Sequence, residues 1–558
     1  MAVINSQTLF LTTSPRTPEK MMPEIKLLAD NFSGKPWNKE TQGSFMRALR
    51  DADFYHGRGK KDAAFSARDR INRAPKSLGF IRLKPVVQLT DAGKSLLTSH
   101  RTNEVFLRQM LKFQIPSPFH KPTGRAAKFC IKPYLEILRL VRTLGTLSFD
   151  ELRLFGMQLT DWHKFDTIVG QIHKFRKEKT ENKGKYRKFY SEYINSELKR
   201  IYERRIASGD TKTRESADRS LKNFLNTQSR NLRDYADACF RYLRATGLVN
   251  VSYVGKSLSI ITERIEDTDF ILENVSRDPV FFDSENSYVE YLGNAKTPKL
   301  LTDDIESLAE RINNEFPEAG ISEGMGAERL KDILAECVAK RKDDELRHQI
   351  KEIKDYKQYD DIQDTFNRIK KSGVYDAPLL FEWNTWRAMT MLDGGTIKAN
   401  LNFDDYGRPM STAQGNQADI VCDYGSFILT VEVTLASGQK QYEMESEPVS
   451  RHLGQIRRNS GKTCYTLFVA PKINDACVAH FFGLHNLNIS YYGGESIIVP
   501  LPLDVFQKML EDSHNASYEP NPAQVKAFFE KSREIAKSGC NERQWFDSIK
   551  NEALDWLK

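Results

Sequence analysis

The chain has 558 residues, of which 40% are hydrophobic, 28% charged and 11% aromatic. At about 100–200 residues per domain, this length predicts about three or four domains, and the composition speaks against disorder or a fibrous class. No apolar stretch reaches the roughly 18 residues of a membrane span, and residues 1–15 lack the pattern of a secretory signal. We therefore expect a cytoplasmic protein that does not bind membranes. The seven cysteines form no C-x-x-C pair, which argues against a disulfide scaffold or a zinc ribbon.

The net charge of +8 is unevenly distributed. Residues 1–230 carry 45 Lys and Arg against 23 Asp and Glu, whereas residues 231–558 carry 38 against 52. A basic half indicates a surface for a polyanion, because each neutralised phosphate releases condensed counterions. Nucleic acid is the first candidate, and a solvated basic face without a partner is the alternative.

Two stretches of the chain share one order of elements. Residues 63–71 are typical of a helix, and residues 78–83 and 86–90 are typical of two short strands. Further on, a helical pattern is followed by strand patterns at residues 248–253 and 258–262. A helix with a two-stranded wing predicts winged-helix-like units, although any small α/β subdomain can show this order.

The second unit has further support upstream. Residues 131–144 have a helical pattern, Gly145 follows, and Ser148 with Glu151 has the spacing of a capping box. Arg can grip guanine with two hydrogen bonds, so the basic residues around the first helix and its wing are predicted to read bases. These are Arg68, Arg70, Arg73 and Lys76.

Residues 171–230 form the most basic stretch, with 17 Lys and Arg against 8 Asp and Glu. Its basic residues are predicted to contact phosphates, and its interleaved aromatic residues to pack mainly in a core. The predicted phosphate contacts are Lys174, Arg176, Lys177, Lys185, Arg187 and Lys188.

Residues 303–371 are acidic and almost free of proline, which predicts a pair of exposed helices with a turn near residues 315–326. We predict a multidomain α+β protein with two recognition subdomains, a helical linker and a C-terminal α/β domain. The predicted boundaries are 1–130, 131–265, 266–374 and 375–558.

Two acidic residues of the last domain are the predicted ligands of a metal ion. Asp419 stands at the start of one predicted strand, and Glu432 lies inside the next, at residues 427–434. Neighbouring strands would bring the two carboxylates together, and Mg²⁺ prefers oxygen ligands of this kind. A main-chain carbonyl, that of Val433, would complete the protein's share of the ligands.

Glu445 and His452 follow the second strand and are candidates to complete the site. They are seven residues apart, about two helical turns if a helix continues past Pro448. The predicted order of helix, three strands, helix and strand is that of the PD-(D/E)xK nucleases. The gap between the acids is 12 residues, and Thr434 stands at the lysine position. Spacing alone makes this a weak signal.

Several sequence blocks resemble those of the AlwI-type type IIS restriction endonucleases, a group that includes strand-specific nicking enzymes. The blocks are SPRTPEK at 14–20, AFSARDR at 64–70, FEW at 381–383, Asp419 with EVT at 432–434, and MESEPVSRH at 444–452. The resemblance implies recognition of a short asymmetric DNA sequence and cleavage a few base pairs to one side. It also implies that Asp419 and Glu432 bind the metal, with Glu382, Glu445 and His452 grouped around them. The family has Thr in place of the motif lysine.

Three functions remain open from the sequence. The protein cuts both DNA strands with Mg²⁺, or nicks one strand, or is a DNA-binding regulator with an inactive nuclease domain. Double-strand cutting would require a transient homodimer or a second catalytic subunit. Gln88 and Asn250 stand where a P-loop needs its first glycine, so ATP is not predicted. Cys477, His480 and His485 lack a fourth ligand for zinc.

Overall fold

The computed structural model describes residues 2–4, 6–52, 62–213, 216–322, 324–392, 394–413, 415–516 and 520–557. The described residues form two compact units, the first ending at Cys337 and the second beginning at Val338. Both contain helices and sheets, so the protein is a multidomain α+β protein. None of the described helices is long and apolar enough to cross a membrane.

The first unit is mainly helical and contains three small sheets. Its helices are α1 (Met21–Phe32), α2 (Lys39–Arg50), α3 (Ala63–Ile71), α4 (Ala74–Ser77), α5 (Asp91–Thr98), α6 (Thr102–Lys112), α7 (Pro133–Leu144), α8 (Phe149–Leu154), α9 (Phe165–Glu181), α10 (Tyr186–Ile201), α11 (Glu203–Ala207), α12 (Leu221–Arg244), α13 (Ile265–Asn274), α14 (Glu285–Gly293) and α15 (Ile305–Glu315). Its strands are β1 (Ala2–Ile4), β2 (Ile81–Arg82), β3 (Gln88–Leu89), β4 (His120–Pro122), β5 (Thr146–Ser148), β6 (Val249–Ser252) and β7 (Ser257–Ile260). Helix α16 (Ala327–Lys354) begins in this unit and continues into the second.

The first predicted hairpin is present but short. Strands β2 and β3 pair antiparallel, with Ile81 opposite Leu89, between α4 and α5. Each strand has only two residues, and Pro85 between them has no N–H to extend the ladder. The sequence pattern therefore located the hairpin and overestimated its length.

The second predicted unit contains one strand that the sequence did not predict. Helix α7 ends at Gly145, whose φ of 73° is left-handed, and α8 begins at Ser148 with both hydrogen bonds of the capping box to Glu151. The residues between the two helices form β5, which pairs with β7 in a sheet of order β5-β7-β6. This sheet therefore has three strands where the sequence predicts two.

The acidic segment holds three helices where the sequence predicted two. The expected turn separates α15 from α16. A second break follows Lys354, before α17 (Tyr359–Lys370), and Tyr356 there has a φ of 57°. Neither Gly nor Pro occurs in residues 355–358, so the pattern contained no signal for this break.

The second unit is an α/β structure around a five-stranded sheet. Its further helices are α18 (Ala377–Met391), α19 (Gln439–Ser460), α20 (Asp475–Asn486), α21 (Leu503–Asn515), α22 (Pro522–Ala536) and α23 (Glu542–Leu554). Its strands are β8 (Thr396–Ala399), β9 (Leu401–Phe403), β10 (Pro409–Thr412), β11 (Ile420–Asp423), β12 (Phe427–Val433), β13 (Thr463–Ala470) and β14 (Ile498–Pro502).

The order in the main sheet is β14-β13-β12-β11-β8. Strand β12 is antiparallel to β11 and parallel to β13, and helix α19 makes the crossover that a parallel pair requires. The strand is buried along almost its whole length, as expected for the centre of a covered sheet. Helix α18 packs against β11 and β12. Between α18 and α19 the described residues form five strands, of which β8, β11 and β12 belong to the main sheet.

Candidate active site

Asp419 and Glu432 face each other at one end of the β11–β12 ladder. In this antiparallel ladder Ile420 pairs with Val431. Asp419 precedes Ile420 and Glu432 follows Val431, so Asp419 and Glu432 occupy opposite positions. The backbone N–H of Val433 donates a hydrogen bond to Oδ2 of Asp419 at 2.9 Å. The sequence had assigned Val433 as a carbonyl ligand, and the structure shows its amide holding the Asp419 carboxylate.

Thr434 connects the end of β12 to Glu445. Its hydroxyl lies 2.7 Å from Oε1 of Glu445, and it accepts a hydrogen bond of 3.0 Å from the N–H of Ala436. Because the amide can only donate, the hydroxyl proton is directed to the carboxylate. Thr434 therefore fixes Glu445 toward β12 from the position where a PD-(D/E)xK motif has lysine.

His452 reaches Glu432 from the same helix that carries Glu445. Helix α19 is continuous through Pro448, so the two residues lie two turns apart on one face. Nδ1 of His452 lies 2.8 Å from Oε1 of Glu432. Its Nε2 is buried and has no hydrogen-bond partner among the described residues.

The protonation of His452 follows from its surroundings. Burial, and next the charge of Arg451, lower the pKa of His452 to about 4. The ring is therefore neutral near pH 7. When Glu432 is ionised, as a metal ligand is, Nδ1–H donates to it and Nε2 keeps a free lone pair. This tautomer directs a proton acceptor into the site.

Asp419, Glu432 and Glu445 form a carboxylate cluster. Burial, and next the charge of Glu432, raise the pKa of Asp419 well above its ordinary value. Burial and then the charge of Glu445 raise the pKa of Glu432 well above its ordinary value, and burial is also the largest cause of the raised pKa of Glu445. Three mutually repelling carboxylates beside an unpaired imidazole nitrogen fit the binding of a divalent cation, whose charge would relieve the repulsion.

Glu382, the remaining predicted residue, lies partly buried on α18. That helix packs against β11 and β12. Hydrogen bonds and electrostatic repulsion connect Asp419, Glu432, Glu445 and His452.

The residues predicted to read bases have partners in the first unit. Arg70 pairs with the buried Glu24, and Nζ of Lys76 lies 2.9 Å from Glu285. The remaining contacts are Arg68 with Gln42 at 2.8 Å and Arg73 with Asp69 at 2.5 Å. The side chain of Arg73 is half exposed, whereas those of Arg70 and Lys76 are mostly covered.

Most of the predicted phosphate contacts lie exposed on or between α9 and α10. The exposed ones are Lys174, Lys177, Lys185, Arg187 and Lys188. Arg176 differs, because its guanidinium bonds both Glu151 oxygens, at 2.8 and 3.0 Å, and the carbonyl of Thr146. The aromatic side chains between these residues pack on one another, as the ring of the fully buried Phe175 does on those of Phe189 and Tyr193.

Sequence reasoning missed two features of the structure. The bond from Thr434 to Glu445 depends on the loop after β12, for which no pattern exists. The second is a group formed by Cys130, Asp161 and His163. Cys130 is some thirty positions before the other two residues, so no local motif predicts the group.

A buried cluster of carboxylates lies at the end of β12, in a chain whose residues 1–230 are basic, and both features are typical of nucleases. The family model of the AlwI restriction endonuclease matches residues 76–509, which is most of the chain. The chain belongs to this family and is a site-specific DNA endonuclease. No match was found among curated proteins.

Three solved structures are similar to parts or all of the chain. The small subunit of the heterodimeric restriction endonuclease R.BspD6I is 27% identical, covering 36% of this chain and 95% of that chain, with a TM-score of 0.29. The BpuJ1 endonuclease binding domain, solved with pyrene- and phenanthrene-modified DNA, is 14% identical, covering 51% and 96%, with a TM-score of 0.34. The restriction endonuclease FokI is 12% identical, covering 95% and 99%, with a TM-score of 0.23.

Proposed function

We propose that this protein is a type IIS restriction endonuclease that binds a short asymmetric DNA sequence and cuts a few base pairs to one side. The observation that carries the proposal is the pairing of Asp419 and Glu432 across β11 and β12, with Glu445 and His452 joined to them from α19. We assign the second unit to the PD-(D/E)xK-like α/β nucleases and the first to recognition.

Asp419 and Glu432 are the proposed ligands of Mg²⁺, together with the main-chain carbonyl of Val433. When bound, Mg²⁺ lowers the pKa of an attacking water and offsets the charge that develops on the phosphodiester. The amide of Val433 orients the Asp419 carboxylate, and Thr434 orients Glu445. Glu382, on α18, is the proposed fifth member of the site, and α18 packs against β11, which follows Asp419, and β12, which contains Glu432.

His452 is the proposed proton acceptor for the attacking water. Its Nδ1–H is held by Glu432, and Nε2 is unprotonated, so Nε2 can take the proton that the water loses. In this arrangement the chain needs no lysine at position 434. A hydrogen-bonding role that only supports the Glu445 region is the alternative.

The proposed recognition half consists of the two winged-helix-like subdomains at 1–130 and 131–265. The segment 266–374 is the proposed helical linker, and 375–558 the catalytic domain. Arg68 and Arg73 have the contacts that a base-reading residue could exchange most easily. The partner of Arg68 is the neutral amide of Gln42, and the partner of Arg73 is Asp69, four residues earlier in the chain. Arg70 and Lys76 could contact bases only after breaking their ion pairs with Glu24 and Glu285, which connect separate parts of the first unit. The exposed residues of α9 and α10 are the proposed phosphate contacts.

A strand-specific nicking activity is the second candidate. One carboxylate cluster hydrolyses one strand at a time, so cutting both strands requires a transient homodimer or a second catalytic subunit. A DNA-binding regulator with an inactive domain is disfavoured, because the full set from Glu382 to His452 is present.

The proposal is tested with supercoiled plasmid, the full-length protein and Mg²⁺. We expect Mg²⁺-dependent conversion to linear or open-circular DNA, with sequenced ends at one fixed offset from a common asymmetric site. Linear product indicates cutting of both strands, and open circles indicate nicking. Ends inside the recognition sequence, or scattered ends, would contradict the type IIS assignment. Cleavage at an unchanged rate in EDTA would contradict the metal site.

A further inference from the structure

The first unit contains a second group of metal-ligand side chains, remote in sequence from the carboxylate cluster. Among the described residues, Cys130, Asp161 and His163 place a thiol sulfur, a carboxylate oxygen and a ring nitrogen within 4.8 Å of one another. We propose that these three side chains bind a zinc-type transition-metal ion, distinct from the Mg²⁺ of the active site.

The backbone holds this trio in place. The N–H of Cys130 donates to the carbonyl of Thr160 at 3.0 Å, and the N–H of Trp162 donates to the carbonyl of Cys130 at 3.1 Å. These two bonds clamp the chain on either side of Asp161 against Cys130. The ligands therefore meet without any rearrangement of the backbone, which lowers the entropic cost of binding an ion.

The side chains of Asp161 and His163 are fixed as well. The Asp161 side chain is only 3% exposed, and its Oδ1 lies 2.7 Å from Nδ1 of His163. The imidazole also stacks on the ring of Trp162, with centroids 3.9 Å apart. An ion bound here would take the place of the proton that the carboxylate and the imidazole share.

The local charge favours a cation beside the thiol. The negative charges of Asp161 and Asp278 act on the Cys130 sulfur, and the positive charge of Lys128 opposes them. Among the described residues, Lys128 is the Lys or Arg in contact with Asp161, at 3.1 Å, and its side chain is 74% exposed. A metal ion would stabilise the thiolate, and the thiol proton would pass to solvent.

The ligand types select the metal. Thiolate and imidazole suit zinc and its neighbours in the transition series, whereas Mg²⁺ and Ca²⁺ require oxygen ligands. Three protein ligands leave a fourth tetrahedral position for water. The ion would join the segment before α7 to the residues that lead into α9, and it would stabilise the first unit without taking part in hydrolysis.

The test uses the full-length protein stripped with EDTA and titrated with Co²⁺ in the absence of DNA. We expect one equivalent to bind with a thiolate charge-transfer band and tetrahedral d–d bands, both removed by Zn²⁺ and retained in excess Mg²⁺. Cys130→Ser should abolish the charge-transfer band. Cys540→Ser, at another partly buried cysteine, is the matched control and should keep it.

A second variant guards against misfolding. The imidazole of His163 is more than half exposed, so His163→Ala should fold normally and weaken Co²⁺ binding roughly 10–100-fold. Zn²⁺ should raise the Tm of the wild type and not that of His163→Ala. The proposal is overturned if the wild type shows no thiolate band, or if the band persists in Cys130→Ser. Because no DNA is present, these outcomes are independent of whether the proposed cleavage occurs.

Discussion

Nδ1 of His452 lies 2.8 Å from Oε1 of Glu432, so a helix residue and a strand residue share one proton at the proposed metal site. In the proposed site, Glu432 would have two roles, as metal ligand and as the group that sets the His452 tautomer. The same logic holds in many metal sites, where outer hydrogen bonds orient the reacting groups.

His452→Ala should lower the single-turnover cleavage rate at saturating Mg²⁺ by about 10²–10⁴-fold, because the proton acceptor is lost. Affinity for cognate DNA should remain unchanged. His514→Ala is the matched control, since this exposed histidine of the same unit stacks on Tyr359 and lies outside the site contacts. A full rate in His452→Ala would leave the residue with a structural role only.

Thr434→Val should reduce cleavage and raise the Mg²⁺ concentration needed for half-maximal rate, because the hydroxyl that fixes Glu445 is removed. A lost hydrogen bond to a charged group is worth about 1.5–3 kcal/mol, or roughly 10–150-fold. Thr434→Ser keeps the hydroxyl and should retain most of the rate. Equal behaviour of the Val and Ser variants would show that the bond to Glu445 has no role in positioning.

The carboxylate cluster should destabilise the metal-free protein at alkaline pH. The pKa values of Asp419, Glu432 and Glu445 are raised in the folded state, so their contribution to stability is present at low pH and lost as they ionise. In EDTA, Asp419→Asn should therefore have a higher Tm than the wild type at pH 8, with a smaller difference at pH 5. Mg²⁺ should narrow the difference at pH 8. If Asp419→Asn had a lower Tm than the wild type at pH 8 in EDTA, the three carboxylates would not repel one another in the way proposed.

The two kinds of proposed DNA contact should separate in binding assays. Lys188→Ala should weaken binding to all sequences and reduce the slope of log K against log salt by about one unit. Arg73→Ala should cost about 1–3 kcal/mol on the cognate site alone. Measurements in Ca²⁺ should permit binding and suppress cleavage. If Arg73→Ala weakened binding to cognate DNA and to random DNA equally, Arg73 would not be a base-reading residue.

The sequence predicted those parts of the fold that local patterns determine. Helix α18, the strands β12 and β13, and the capping box at Ser148 have local signals of periodicity, burial or capping. Strand β5 was missed because its three residues form a strand only through pairing with β7, which is about a hundred residues away.

The same division holds within the candidate site. The pairing of Asp419 with Glu432 could be predicted from two neighbouring strands. The continuity of α19 across Pro448 could not, because proline inside a helix removes a backbone hydrogen bond and usually breaks the helix. From the sequence, Arg70 and Lys76 are predicted to be available for contacts with bases. Their partners, Glu24 and Glu285, are brought to them by tertiary packing alone.

The most direct test of the central claim compares cleavage and binding in Asp419→Asn and Glu432→Gln. Both substitutions keep the size of the side chain and remove the charge that holds the metal. We expect single-turnover cleavage of a cognate duplex to fall below detection in Mg²⁺, with cognate affinity in Ca²⁺ near that of the wild type. Cleavage by either variant at a near wild-type rate would contradict the assignment of this site.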